Sequence, residues 1–223
     1  MKPTVLFSVM RFMIHLLGML IARMDVEGLQ NLPDTGGCIV AANHLGRLDV
    51  PLVYYLHKRD DIILLVAEKY RKYAVVRWLV EALGAIWLDR FNTDFHAMRQ
   101  TLERLKAGGV LVIAPEGTRS TTGGLLPGKP GVSYIAGKTG LPVIPVAVTG
   151  TEDELVLAQL KRLKRANVRV RVGRPFYLPR PKGQDREAIL ERNTDEIMCR
   201  IAALLPESYR GVYSDHPQLR ELA

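Results

Sequence analysis

The chain is poor in cysteine, having only Cys38 and Cys199, far apart and without metal-ligand spacing. That excludes a disulfide framework and a zinc site, and two buried free thiols in a reducing compartment are the expectation. No serine stands in a nucleophile-elbow motif, so any hydroxyl to be activated belongs to a substrate. Helix-turn-helix, zinc-finger and RNA-binding signatures are missing, and the basic residues do not interleave with exposed-looking aromatics, which argues against a nucleic-acid partner. Internal repeats, low-complexity tracts and a linker to a second domain are also missing. Acidic residues are in deficit, 23 Asp+Glu against 31 Lys+Arg, giving a net charge of +8. A bias of that sign favours anionic lipid headgroups or a phosphorylated substrate.

Even the most apolar stretch, Val5 to Met24, is interrupted by Arg11 and His15. Ser8, Arg11, His15, Gly18 and Ala22 recur at intervals of three and four and fall on one helical stripe, while Leu6, Phe7, Phe12, Met13, Leu16, Leu17, Leu20 and Ile21 cover the other faces. Only Lys2 forms an n-region and no small-residue cleavage pair precedes Arg23, so a retained element is expected rather than a signal peptide. The reading is a one-sided membrane attachment over residues 1–25, with Lys2, Arg11 and Arg23 near anionic headgroups on the cytoplasmic face.

Residues 26–223 have the size and the ordinary apolar content of one globular domain. Apolar runs predict buried strands at Cys38–Ala42, Asp61–Ala67, Gly84–Leu88, Val110–Pro115 and Pro142–Val148. Val168–Val172 alternates strictly and reads as a strand near an edge with one wet face. Helices are predicted at Leu48–His57, at Tyr73–Leu83, after the caps Asn92-Thr93-Asp94 until Gly108-Gly109, at Val132–Thr139, and as an amphipathic terminal helix over Asp185–Leu205. Strands alternating with helices predict an α/β fold with a mostly parallel central sheet flanked by helices. Ligands collect at the carboxyl ends of such strands.

Three polar clusters directly follow predicted strands: Asn43-His44, Asp89-Arg90 and Glu116-Gly117-Thr118-Arg119. His44 with Asp49 five residues on can deprotonate a hydroxyl, the carboxylate fixing the imidazole tautomer and stabilising the imidazolium. Arg90, Arg119 and Lys129 can hold a phosphate, arginine through its bidentate fork. Gly128 and Gly131 would let backbone approach an anion closely. A phosphorylated alcohol beside a membrane-attached helix points to a lysophospholipid or a glycerol phosphate.

The blocks Asn43-His44-x4-Asp49, Gly84-x-Ile86-x-x-Asp89-Arg90, Pro115-Glu116-Gly117-Thr118-Arg119 and Val143-Ile144-Pro145-Val146, in this order from about Val26 to Pro175, resemble the phospholipid-synthesis acyltransferases. These are the 1-acylglycerol-3-phosphate and glycerol-3-phosphate acyltransferases. The resemblance implies transfer of a fatty acyl group from an acyl-CoA or acyl-carrier-protein thioester to the free hydroxyl of 1-acylglycerol 3-phosphate, giving phosphatidic acid. Glycerol 3-phosphate or another lysolipid is the alternative acceptor, and a non-catalytic anionic-lipid binder the alternative class. By position His44 is the general base and Asp49 its partner. Arg90 and Glu116, Gly117, Thr118 and Arg119 bind the phosphorylated acceptor, and Pro145 lies in a wall of the site. Lys69 stands one place beyond the usual lysine of this family, and Gly46 replaces a usual small polar residue. No metal or cofactor beyond the thioester co-substrate is implied, and the carrier protein is a possible partner.

Overall fold

The computed structural model describes residues 5–56, 59–90, 92, 94–183 and 185–222, without the side chains of 5–8 and 222. Lys2, His57 and Thr93, and the side chains of Leu6, Phe7 and Ser8, therefore lie outside the described residues. In chain order the elements are α1 (Val5–Ile21), β1 (Ala22–Glu27), β2 (Cys38–Ala42), α2 (Asp49–Leu56), β3 (Ile62–Ala67), α3 (Ala74–Ala82), β4 (Ile86–Leu88), α4 (Phe95–Lys106), β5 (Val110–Ile113), α5 (Gly131–Thr139), β6 (Val143–Thr149), α6 (Asp153–Lys161), β7 (Ala166–Val172), α7 (Arg186–Leu204) and α8 (Pro217–Leu222).

Seven strands form one sheet in the order β1-β7-β6-β2-β5-β3-β4. All pairings are parallel except β6 with β7. The central strands are apolar at successive positions because both faces are covered, as parallel sheets require. Ile39, Ala41, Ile63, Leu111, Val143 and Ala147 point to one face, where α7 seals the core with Ile197, Met198 and Ile201, all three fully buried. Val40, Val110, Ile144, Val146 and Val148 point to the other, toward α2 and the end of α1. Local signals set the helix ends: Asp94 accepts the Ala97 N–H at 2.9 Å to cap α4, and Gly140 takes φ 66° to end α5.

Two expectations, the extent of the N-terminal helix and the direction of Arg11, are corrected. The N-terminal helix stops at Ile21, because Ala22, Met24 and Val26 alternate toward the sheet and β1 pairs with β7 from Ala22↔Ala166 to Glu27↔Arg171. The division expected at residue 25 thus falls inside a strand. With β1 outside it, β7 lies one strand in from the edge and keeps the alternating exposure expected of a strand near an edge. Helices α6 and α8 were not anticipated by the periodicity. Finally, Arg11 does not face outward: it pairs with Asp60 at 2.5 Å, while His15 stacks on Tyr55 with ring centroids 5.1 Å apart. The polar stripe of α1 packs on α2, and Phe12, Met13, Leu16, Leu17, Met19 and Leu20 are left exposed. Among the described residues no helix is long and apolar enough to cross a membrane.

Candidate active site

Strand β2 ends at Ala42, and Asn43 replaces the lost ladder with its side chain. Its amide donates to Val148 O at 2.8 Å and accepts the Val148 N–H at 2.7 Å. The chain is thereby pinned to β6 while it turns, and His44 is delivered to the carboxyl end of the sheet. There His44 Nδ1 donates to Asp49 Oδ2 at 2.7 Å. The same oxygen accepts the N–H of Leu45 at 2.8 Å and of Gly46 at 3.0 Å. Asp49 opens α2, where the helix dipole favours a carboxylate. With Nδ1 committed, Nε2 is the nitrogen left for a substrate proton. Gly46 has a packing reason: a Cβ there would stand 1.7 Å from Thr151 O.

Glu116 holds the other side of the turn. It is 2% exposed, and its carboxylate accepts the His44 N–H at 2.9 Å through Oε1 and the Leu126 N–H at 2.9 Å through Oε2. Burial pushes its pKa up, opposed by those two hydrogen bonds and by His44. Ser120 N–H donates to His44 O at 2.8 Å and Lys129 N–H to Pro115 O at 2.8 Å, so the loop after β5 is wired to the histidine turn. Gly117, at φ 69°, lets the Lys129 side chain pass where a Cβ would stand 3.0 Å from Lys129 Cδ.

A cavity of about 340 Å³ opens beside this turn and runs between the sheet and α2. His44, Asp49, Asp89, Arg90, Gly117 and Lys129 give it a polar side, on which Arg90 and Lys129 are the cations and Asp49 and Asp89 the carboxylates. Beyond them it is apolar, lined by residues such as Val40, Val53, Leu56, Leu64, Val112 and Val146. The three strand ends singled out in the sequence share one sheet edge, since β2, β5, β3 and β4 are parallel neighbours. From β2 to β4 is about 14 Å at the usual strand spacing.

The candidates divide accordingly. His44, Asp49, Arg90, Gly117 and Lys129 line the cavity, whereas Glu116, Thr118, Arg119 and Lys69 do not. Arg119 is turned to Asp153, at 2.6 Å from its Oδ2, and Asp153 Oδ1 accepts the Arg47 N–H at 2.8 Å. Lys69 is exposed, its ammonium 5.2 Å from the Tyr70 ring centroid. Pro145 is on the opposite face of β6, packed toward Gly173, and Val146 and Val148 form the wall instead. Gly128 spends its N–H on Tyr213 Oη at 2.9 Å, and its missing Cβ makes room for Thr194 and Met198 of α7. Gly131 does reach the cavity, at the first turn of α5, whose N–H groups have no partner within the helix. The sequence reading missed Asp153 and the apolar lining; Asp153 had a local signal, an acid opening a helix. Cys38 and Cys199 are free and buried, and desolvation pushes their thiols up to about 11 and about 12. Among the described residues no cluster of His, Cys, Asp and Glu could hold a metal ion.

A model of the acyltransferase family matches residues 23–149. The chain is 30% identical over 158 residues to a chloroplast 1-acyl-sn-glycerol-3-phosphate acyltransferase of Brassica napus, covering 70% of this chain and 45% of that protein. It is 28% identical over 158 residues to its counterpart in Arabidopsis thaliana, covering 70% and 44%. The chain thus spans about half the length of the curated relatives it matches. The crystal structure of the 1-acyl-sn-glycerophosphate acyltransferase PlsC of Thermotoga maritima is similar with a TM-score of 0.61 and 28% identity, over 85% of this chain and 80% of that one.

Proposed function

The chain belongs to the acyltransferase family, and from that premise we propose that it transfers a fatty acyl group from an acyl-CoA or acyl-carrier-protein thioester to the free hydroxyl of 1-acylglycerol 3-phosphate. The observation that carries the reading is the His44–Asp49 pair, 2.7 Å apart, lining a cavity that also holds Arg90 and Lys129 and is otherwise largely apolar. In the proposed step Nε2 of His44 takes the hydroxyl proton as the oxygen attacks the thioester carbonyl. Asp49 stabilises the imidazolium so formed. Collapse of the tetrahedral intermediate expels the thiolate, which receives the proton back from His44. Alcohol and thioester become ester and thiol, with no oxidant, reductant or metal needed for balance.

Arg90 and Lys129 are the proposed partners of the acceptor phosphate, helped by the open N–H groups at the start of α5. Glu116 and Arg119 act through the loop: the first fixes the backbone of His44, and the second anchors the loop to Asp153. The apolar part of the cavity takes an acyl chain. Peripheral attachment to the cytoplasmic face of a membrane, with the exposed apolar side of α1 in the interface, would bring the lysolipid to this cavity.

The test is an assay of the purified protein with lysophosphatidic acid or glycerol 3-phosphate as acceptor and each type of donor, wild type beside His44→Ala. Loss of roughly a thousandfold in rate is expected for the variant. Equal rates would overturn the assignment of His44, and turnover of glycerol 3-phosphate in preference to lysophosphatidic acid would overturn that of the acceptor.

A further inference from the structure

Leu163 stands in the turn between α6 and β7 with φ 55°, the sole non-glycine residue at positive φ among the described residues, and it is 98% exposed. The turn explains the conformation. Lys164 N–H reaches back to Gln159 O at 3.0 Å and Leu163 N–H to Leu160 O at 2.9 Å, closing α6 with a left-handed residue where glycine is the usual choice. A leucine here gains no packing in return for its strain. Its neighbours Lys161, Arg162, Lys164 and Arg165 are all exposed, and none pairs with a carboxylate among the described residues. An apolar apex flanked by free cations is thus held out into solvent.

Its position in the fold gives that apex a direction. Ala166 and Ala22 are register partners in the parallel pair β7 and β1. The residues just before each therefore leave the same end of the sheet, from points about 5 Å apart. Before Ala22 comes the last turn of α1, with Leu20 59% exposed. The pairing of Thr149 with Arg169 puts this end at the carboxyl end of β6, and hence of β2, where His44 lies. Nucleic acid would use the cations but not the leucine, and an acidic protein that buried the leucine would still leave the exposed apolar side of α1 uncovered, whereas an anionic bilayer suits all three.

We propose that the Leu163 turn is a membrane-docking tip: the leucine enters the acyl region of an anionic bilayer and the four flanking cations take its headgroups, next to α1 and at the end of the sheet that carries the cavity. This is a second contact, independent of the reaction proposed above. Leu163→Cys carrying an environment-sensitive fluorophore tests it, since both native thiols are buried. Vesicles of phosphatidylcholine with phosphatidylglycerol should shift the emission to the blue, reversibly with salt, and phosphatidylcholine alone should not. Leu163→Gly should relieve the strain and leave the melting temperature equal or higher, yet weaken vesicle binding, and reversal of the four cations to glutamate should weaken it by at least about tenfold. An unshifted label at 163 on anionic vesicles that do shift a label placed by Phe12→Cys would overturn the proposal. So would a label that responds to nucleic acid or to acyl-carrier protein but not to vesicles.

Discussion

Neighbouring residues of the same strands serve opposite ends. On β5, Leu111 is fully buried against the layer of α7, while Val112 on the next position lines the cavity under α2. On β2, Ile39 and Ala41 belong to the sealed face, and Val40 to the cavity wall. One face of the sheet is filled and the other is left partly empty, although both are built from the same residue types. A sealed face resists removal of atoms, since a void forms in close packing; an open face accepts added atoms, since the space exists already.

The largest effect should come from testing that contrast directly. Leu111→Ala is expected to destabilise the protein by about 2–5 kcal/mol, the usual cost of a buried leucine truncation. Val112→Phe should change stability by less than about 1.5 kcal/mol, because the ring grows into the cavity and not into packed atoms. It should also select against long-chain donors relative to short ones. Urea unfolding and a donor-length series measure both. Equal stability losses in the two variants would mean that the α2 face is packed in solution.

A smaller effect separates two arginines that look equivalent in the sequence, each following a strand in a polar cluster. Arg90 borders the cavity, whereas Arg119 is engaged with Asp153. Arg90→Ala is expected to raise the KM for the phosphorylated acceptor about tenfold, some 1.4 kcal/mol, with kcat little changed. Arg119→Ala should leave that KM within about twofold and cost about 1 kcal/mol or less of stability, the range of a partly exposed ion pair. The reverse pattern would put the phosphate on the β5 loop.

These contrasts also mark what was legible in the sequence. The strands β2 to β6 were readable because continuous apolar runs between turn residues have few other uses in an α/β chain. His44 and Asp49 were readable because a polar turn directly after such a run is chemically conspicuous. Arg119 reads in the sequence as a phosphate-binding cation, whereas its guanidinium pairs with a carboxylate 34 residues on, and no local pattern reports a tertiary pair. β1 was hidden by continuity: Ala22, Met24 and Val26 extend an apolar helix in composition while alternating like a strand. α6 was hidden because Leu155, Leu157 and Leu160 are exposed, so its apolar residues do not mark one buried stripe. The cavity left no trace, since a valine facing a void and a valine facing a helix are the same letter.

Glu116 is buried beneath the His44 turn, and its titration gives the smallest of the expected effects. Burial raises its folded pKa above the ordinary glutamate value. Between those two values the native state holds a proton that the unfolded chain has released, so stability falls as pH rises through that window and levels off above it. One proton bounds the slope at about 1.4 kcal/mol per pH unit. Glu116→Gln has no such titration and should lose the slope, while its amide opposes the N–H of either His44 or Leu126 and adds a penalty that does not vary with pH. Subtracting urea-unfolding free energies of the variant from wild type, pH by pH, cancels the other carboxylates. The wild-type advantage should shrink toward neutral pH. A difference curve that is flat, or that grows with pH, would mean that the two backbone donors outweigh burial and that the His44 turn is held by a carboxylate ionised throughout.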